Sequence, residues 1–246
     1  MLDVTLITPL GDEYRLTGTD RDSTVLAPYG ALQELRANVT RDDQPDPFGT
    51  GVTPGSRSYG AIQTEIEFLL KAPMGETLEH IYSRFRQGWV SATQDHPCVF
   101  RIESDNPLSP LTFEAVVDGA LPGTQVDMSR RTSETVRVPV VCFRGVAQST
   151  LISNEGTTEV YNPGDVPIWV TLRYSGKGGQ VTAPSGAKFT LPPAEDGAEQ
   201  VVSMDSRELR LEGAFPESIP PGESGTWKVP AGVKVQWRVG VADPWG

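Results

Sequence analysis

The stretch Asn162–Tyr174, NPGDVPIWVTLRY, opens on a turn and continues as a strand. Proline presets φ for the second position of a turn, and glycine supplies the φ > 0 conformation that follows. Val166, Ile168, Val170, Leu172 and Tyr174 then alternate with Pro167, Trp169, Thr171 and Arg173. Successive side chains of a strand point to opposite faces, so one set is buried and the other faces outward or toward a neighbouring sheet. A strand of this kind, set off by so definite a turn, divides the chain into two β-rich parts.

Beyond Ser149, β-patterned pieces recur on either side of this stretch, at Thr158–Tyr161, Gln180–Ala183, Lys188–Leu191, Gln200–Met204, Leu209–Glu212, Thr226–Val229 and Val233–Val239. Turns such as Gly176-Lys177-Gly178-Gly179, Pro184-Ser185-Gly186 and Pro220-Pro221-Gly222 separate them. Short strands with this punctuation predict a β-sandwich or jelly roll. Upstream, residues 2–8 and 13–19 predict a hairpin, and a third strand is expected within Ala31–Val39. Thr40–Ser58 is rich in Gly, Pro and Asp and reads as a long loop, which inside a compact domain is either functional or disordered. In Tyr59–Lys71 the residues Ile62, Thr64, Ile66, Phe68 and Leu70 share one face, while Gln63, Glu65 and Glu67 form an acidic outer face that guards against stray pairing.

One helix is predicted over residues 76–90. Leu78, Ile81, Tyr82, Phe85 and Trp89 make a single apolar stripe that packs on a sheet. Glu76 and Glu79 near its start and Arg84 and Arg86 toward its end suit the macrodipole, and Gly88 suggests fraying. Strands follow at Cys98–Ile102, Leu111–Val117 and Glu134–Phe143. The expected fold is mostly β: an N-terminal antiparallel β-sandwich with one helix and a long loop or hairpin over residues 1–147, then a second sandwich over 148–246.

The chain has 246 residues, long enough for two domains with real cores. A net charge of -11 without a compensating basic patch argues against nucleic acid as a bound partner. No apolar run is long enough to cross a membrane, and the N-terminal residues have no signal-peptide pattern. The two cysteines, Cys98 and Cys142, lie in apolar strand patterns and read as buried free thiols, with a disulfide as the alternative.

The chemistry of a catalyst is hard to build from these residues. His80 and His96 are the only histidines, and His96 sits before a proline. Gly-x-Ser-x-Gly, the P-loop and the dinucleotide-binding glycine pattern are absent. Asp42, Asp43 and Asp46 lack calcium-loop spacing, and the cysteines and histidines lack zinc spacing. Carboxylates are plentiful, but nothing in sequence sets two of them across a cleft as a glycosidase requires. The expectation is a protein without catalytic residues, metal or cofactor. Of the tryptophans in the second half, Trp237 shares parity with Val233, Val235 and Val239 and reads as core. Trp169 lies opposite the apolar parity of its strand and is the candidate for surface or partner binding, including a sugar.

The segment Asn162-Pro163-Gly164-Asp165-Val166-Pro167-Ile168-Trp169 resembles the NxGDxPxW signature that opens the C-terminal domain in distal tail proteins of siphophages, also called minor tail proteins. The nearest likeness is to those of actinobacterial phages. Val202-Ser203-Met204-Asp205-Ser206 and Ile219-Pro220-Pro221-Gly222 match that family's later strand and closing hairpin, and Val170-Thr171-Leu172 departs from it where relatives often carry another proline. In the first half the likeness lies in the order of elements.

The resemblance implies a galectin-like second domain, location in the virion at the tail tip, and assembly in the host cytoplasm. It implies a ring, typically a hexamer, joining the tail tube protein to hub or receptor-binding proteins and letting DNA pass unbound. The stretch Thr40–Ser58 would be an extended hairpin or belt embracing a neighbour, with Phe48, Arg57, Tyr59, Glu65 and Glu67 as candidates for the ring interface. The alternative is a carbohydrate-binding module or lectin for host cell-wall glycan.

Overall fold

A computed structural model describes residues 2–18, 23–46, 49–55, 57–121, 123 and 127–245, with only the backbone of Asp196. The chain forms two compact units, one of Met1–Ala147 with Ala242–Gly246 and one of Gln148–Val241. Residues 242–246 therefore return to the first unit.

The first unit contains β1 (Asp3–Ile7), β2 (Glu13–Arg15), β3 (Val25–Leu26), β4 (Asn38–Arg41), β5 (Gln44–Pro45), β6 (Val52–Thr53), β7 (Arg57–Gly60), β8 (Ile62–Lys71), helix α1 (Leu78–Val90), β9 (Cys98–Glu103), β10 (Leu111–Val117) and β11 (Ser133–Cys142). The two-residue strand β12 (Ala147–Gln148) falls where the chain leaves this unit. The main sheet runs β2-β1-β9-β10-β11-β8-β3. Its ends approach each other, because the Ala27 N–H after β3 donates to the Leu16 carbonyl after β2 at 2.9 Å.

Alternation builds the core. Ile62, Ile66, Phe68 and Leu70 of β8 are buried, and β11 pairs with β8 from Ser133↔Lys71 to Cys142↔Ile62. Thr77 caps α1 by accepting from the His80 N–H, and Leu78, Ile81, Phe85 and Trp89 face inward. Phe85 meets Phe68 edge-on with ring centroids 5.1 Å apart, and Trp89 meets Phe100 at 6.1 Å.

Several expectations for this unit are corrected. Ala31–Val39 is mostly turns: the Ala31, Gln33 and Leu35 N–H groups donate to Pro28, Gly30 and Leu32. Buried Leu32 and Leu35 serve those turns, and the short strand β3 pairs with β8 instead. Gly88 does not fray α1; it is buried, and a Cβ there would lie 2.7 Å from Thr8 Cγ2. No basic residue lies in the last turn of α1, since Arg84 pairs with buried Asp12 and Arg86 donates to the Tyr82 hydroxyl. Of the long loop or hairpin expected at Thr40–Ser58, the described residues form the hairpin: β4 pairs with β7 and β5 with β6.

The second unit contains β13 (Ile152–Glu155), β14 (Thr157–Tyr161), β15 (Ile168–Trp169), β16 (Thr171–Tyr174), β17 (Gly179–Thr182), β18 (Lys188–Leu191), β19 (Gln200–Ser203), β20 (Ser218–Ile219), β21 (Ser224–Lys228), β22 (Val233–Trp237) and β23 (Gly240–Val241). Two four-stranded antiparallel sheets, β13-β22-β16-β19 and β14-β21-β17-β18, carry most of it. Each buries one face: Leu172, Tyr174, Val233, Val235 and Trp237 in the first, and Val160, Val181, Phe189, Leu191 and Trp227 in the second. That is the pattern of a β-sandwich.

The continuous strand expected over Val166–Tyr174 breaks at Val170. Ile168 and Trp169 pair with Ile219 and Ser218, whereas Thr171–Tyr174 pair with β19 and β22. The burial alternation survives the break, with Ile168, Val170, Leu172 and Tyr174 all buried. The strand expected at Leu209–Glu212 is absent. The Asp205 carbonyl accepts from the Glu208 and Leu209 N–H groups there, and Arg210 bonds the Arg207 and Leu209 carbonyls. Local polar bonds of this kind hold the backbone in turns rather than a ladder.

Candidate functional site

The sequence motif at the head of the second unit is built for packing. Asn162 is fully buried, and its amide donates to the Val166 carbonyl at 2.9 Å and the Ile219 carbonyl at 2.8 Å. Its side-chain oxygen accepts from the Gly164 N–H at 3.0 Å. Gly164 has no room for a side chain, because a Cβ would lie 2.3 Å from the Gly240 carbonyl oxygen. The Asp165 N–H donates to that same carbonyl at 3.0 Å. The turn thus stitches β14, β15, β20 and β23 together.

The most exposed strands of the first unit lie in the arm Asn38–Gly60. Its proximal half is β4 against β7, in register Asn38↔Gly60 to Arg41↔Arg57, with the Thr40 and Ser58 hydroxyls 2.6 Å apart. Its distal half is β5 against β6. Between the halves, the Asp43 carboxylate accepts from the Gly55 N–H at 2.8 Å and from Arg41 Nε at 3.2 Å. Gly55 lies so close to Asp42 that a Cβ would meet its carbonyl oxygen at 1.7 Å. Every residue of β4, β5 and β6 is exposed, Val39 at 45% and Val52 at 56%. A two-stranded ribbon with no buried face is marginal in water by itself.

The candidate interface residues divide between this arm and the body of the unit. Arg57 is exposed and opposite Arg41, and Tyr59 is half-buried and opposite Val39. The period of two puts Val39, Arg41, Arg57 and Tyr59 on one face of the ribbon. Like charges directly opposite are unfavourable across a ribbon, and the Asp43 carboxylate beside Arg41 offsets them. Glu65 and Glu67 stand on the outer face of β8, Glu65 exposed and Glu67 paired with Arg137 at 3.2 Å. Phe48 lies outside the described residues. Sequence reasoning missed Val39 and Val52 as exposed apolar residues and Asp43 as the staple. Val52, an isolated apolar residue between Gly51 and Thr53 in so polar a stretch, was the available signal.

Elsewhere the ionisable groups are structural. Buried Asp12 is held by Arg84, whose Nε lies 2.8 Å away. Burial, with Asp12 nearby, pushes the Tyr14 phenol up to about 12. Burial alone pushes the thiols of Cys98 and Cys142 up to about 12, and both cysteines are free. The Arg207 guanidinium, hydrogen-bonded to Asp205, holds that carboxyl below the usual range. His80 and His96 are both exposed, and no group of His, Cys, Asp or Glu suited to a metal occurs among the described residues.

A depression of about 340 Å³, lined by residues including Asp105, Asn106 and Trp245, offers a single carboxylate rather than two opposed acids. Trp227 and Trp237 are buried, and Trp169 is half-buried on the β15–β20 ladder. No helix among the described residues is long and apolar enough to cross a membrane.

No protein-family profile matches the chain, and no curated protein matches it. Solved structures do. The Dit protein of phage SPP1, described as a paradigm of the hub adsorption apparatus in phages infecting Gram-positive bacteria, aligns with a TM-score of 0.53 at 13% identity, over 96% of this chain and 98% of that one. A chain of the phage P2 baseplate in its activated conformation with calcium aligns with a TM-score of 0.54 at 8% identity, over 97% and 98%. The same baseplate with strontium gives 0.55, again at 8% identity and over 97% and 98%. At these identities the likeness is one of fold, and it extends through both units.

Proposed function

We propose that this chain is a structural component of a bacteriophage tail tip. It is a distal tail protein of the kind carried by siphophages of actinobacteria, and it acts by assembly rather than by catalysis. In this reading its copies form a closed ring, hexameric by resemblance, that joins the tail tube to the hub and receptor-binding proteins. Its second unit is a galectin-like sandwich. The observation that carries the reading is the whole-chain fold likeness to phage hub proteins, covering 96–97% of this chain. An arm whose strands bury nothing of their own gives each copy something for a neighbour to cover.

The ring interface would use the arm face bearing Arg57 and Tyr59, with Glu65 and Glu67 on the body; Phe48, a further candidate, lies outside the described residues. DNA would pass through the ring unbound, which suits a protein of net charge -11 because like charge disfavours adsorption. The carbohydrate-binding alternative would rest on Trp169, half-buried on the β15–β20 ladder. Size-exclusion chromatography with light scattering tests the reading. It expects a mass of six chains that falls on dilution, and a monomer at every concentration would overturn it.

A further inference from the structure

The arm is gripped at its root from both sides, and both grips lie beside the places where the chain passes between its two units. On the β4 side, the Ala37 N–H donates to the Ala242 carbonyl at 2.8 Å, one residue before the arm begins. The Trp245 indole N–H donates to the Leu35 carbonyl at 2.9 Å, and Leu35 itself is fully buried. Ala242 is the first residue after the chain returns to the first unit.

On the β7 side, Gly145 has φ +68° and lies against the last residue of the arm. A Cβ on Gly145 would meet the Gly60 carbonyl oxygen at 2.1 Å and the Gly60 carbonyl carbon at 2.9 Å. Gly145 is held in this turn by its N–H to the Cys142 carbonyl at 3.2 Å, and the chain leaves the unit after Ala147. Strands β4, β5 and β6 are exposed throughout, and in β7 only Tyr59, next to the root, is half-buried. The root, where the ribbon meets the body, is therefore the place to set its direction.

We infer that Trp245 and Gly145 are positioning residues for the arm: they clamp its root so that it leaves the body in one orientation, ready to engage a second copy of this chain. The assembly half of this inference rests on the ring reading; the clamp does not. Residues 242–245, far from the arm in sequence, thereby become part of its machinery. Neither residue carries any chemical step.

Hydrogen exchange read by mass spectrometry on the intact chain tests the clamp, with Trp245→Phe and Gly145→Ala compared with wild type. Trp245→Phe keeps an aromatic ring but removes the N–H donor together with part of the indole's bulk, and Gly145→Ala puts a methyl where the Gly60 carbonyl sits. Losing a bond of this kind is expected to raise exchange at residues 35–41 and 57–60 by about tenfold, with β9 and β10 unchanged. Light scattering on the same samples should show less assembly at equal concentration. Equal acceleration in β9 and β10, or no change at the arm, would overturn the clamp. A loosened arm with undiminished assembly would overturn its link to oligomerisation. A monomeric wild type would remove the ring reading while the exchange pattern still decides the clamp.

Discussion

Asn162 stands where a polar side chain is fully enclosed, and its amide completes the bonding of two carbonyls from different elements. Asn162→Ala leaves the Val166 and Ile219 carbonyls buried without that partner, so it should destabilise the second unit by about 2–4 kcal/mol. Denaturant unfolding followed by Trp227 fluorescence measures this, and a loss below about 1 kcal/mol would refute the role assigned to Asn162.

Gly88 gives a test of sign. By propensity alone, Gly→Ala inside a helix stabilises by about 0.5–1 kcal/mol. The Thr8 side chain occupies the space a methyl would need, so Gly88→Ala should instead destabilise by about 1–3 kcal/mol. A rise in melting temperature would contradict the packing.

The thiols and Tyr14 predict a pH dependence. Cys98 and Cys142 ionise near 12 in the folded chain, against an ordinary 9.0. Above about pH 9 the unfolded chain releases these protons while the folded chain holds them, so the unfolded state binds fewer protons and stability falls with rising pH. Tyr14, raised from 10.0 to about 12, adds to the fall above pH 10. Melting temperature should therefore decline steadily from pH 9 upward, and Cys98→Ala/Cys142→Ala should flatten that decline. A slope unchanged by the double substitution would contradict the burial account.

At the level of elements, the arm separates folding from assembly. Replacing residues 42–56 with a two-residue Asn-Gly turn keeps the β4–β7 register while removing the exposed strands β5 and β6 and the Asp43 staple. The shortened chain should melt within a few degrees of wild type and fail to assemble; a large loss of stability would mean that the distal arm packs on the body.

The contrast between α1 and the arm shows what sequence can carry. The stripe Leu78, Ile81, Phe85 and Trp89 and the alternation Ile62–Leu70 could be read directly, because burial of one face imprints a period on the residues. The arm buries neither face, so its strands print no period and look like a loop of Gly, Pro and Asp. Turns 28–35 misled for the opposite reason: Leu32 and Leu35 are buried by tertiary packing that no local pattern announces. The break at Val170 was hidden because the burial alternation continues while the pairing partner changes.

For the whole molecule, the lapse of the strand pattern around Arg144–Ser149 sets the expected boundary between two domains. No sequence pattern announces that residues 242–246 belong with the first unit, since that rests on hydrogen bonds such as that from Trp245 to Leu35, which span 210 positions of sequence. The candidate interface residues rest on family likeness alone, and those that are described divide into an arm pair, Arg57 and Tyr59, and a β8 pair, Glu65 and Glu67.

In the proposed reading the molecule's work falls to its surfaces, which pack copy against copy around an axis. Electron micrographs of the purified full chain, averaged along the axis of any assembly, test that claim most directly. The account predicts a six-fold ring with an open centre, whereas single unassociated particles at every concentration would contradict it.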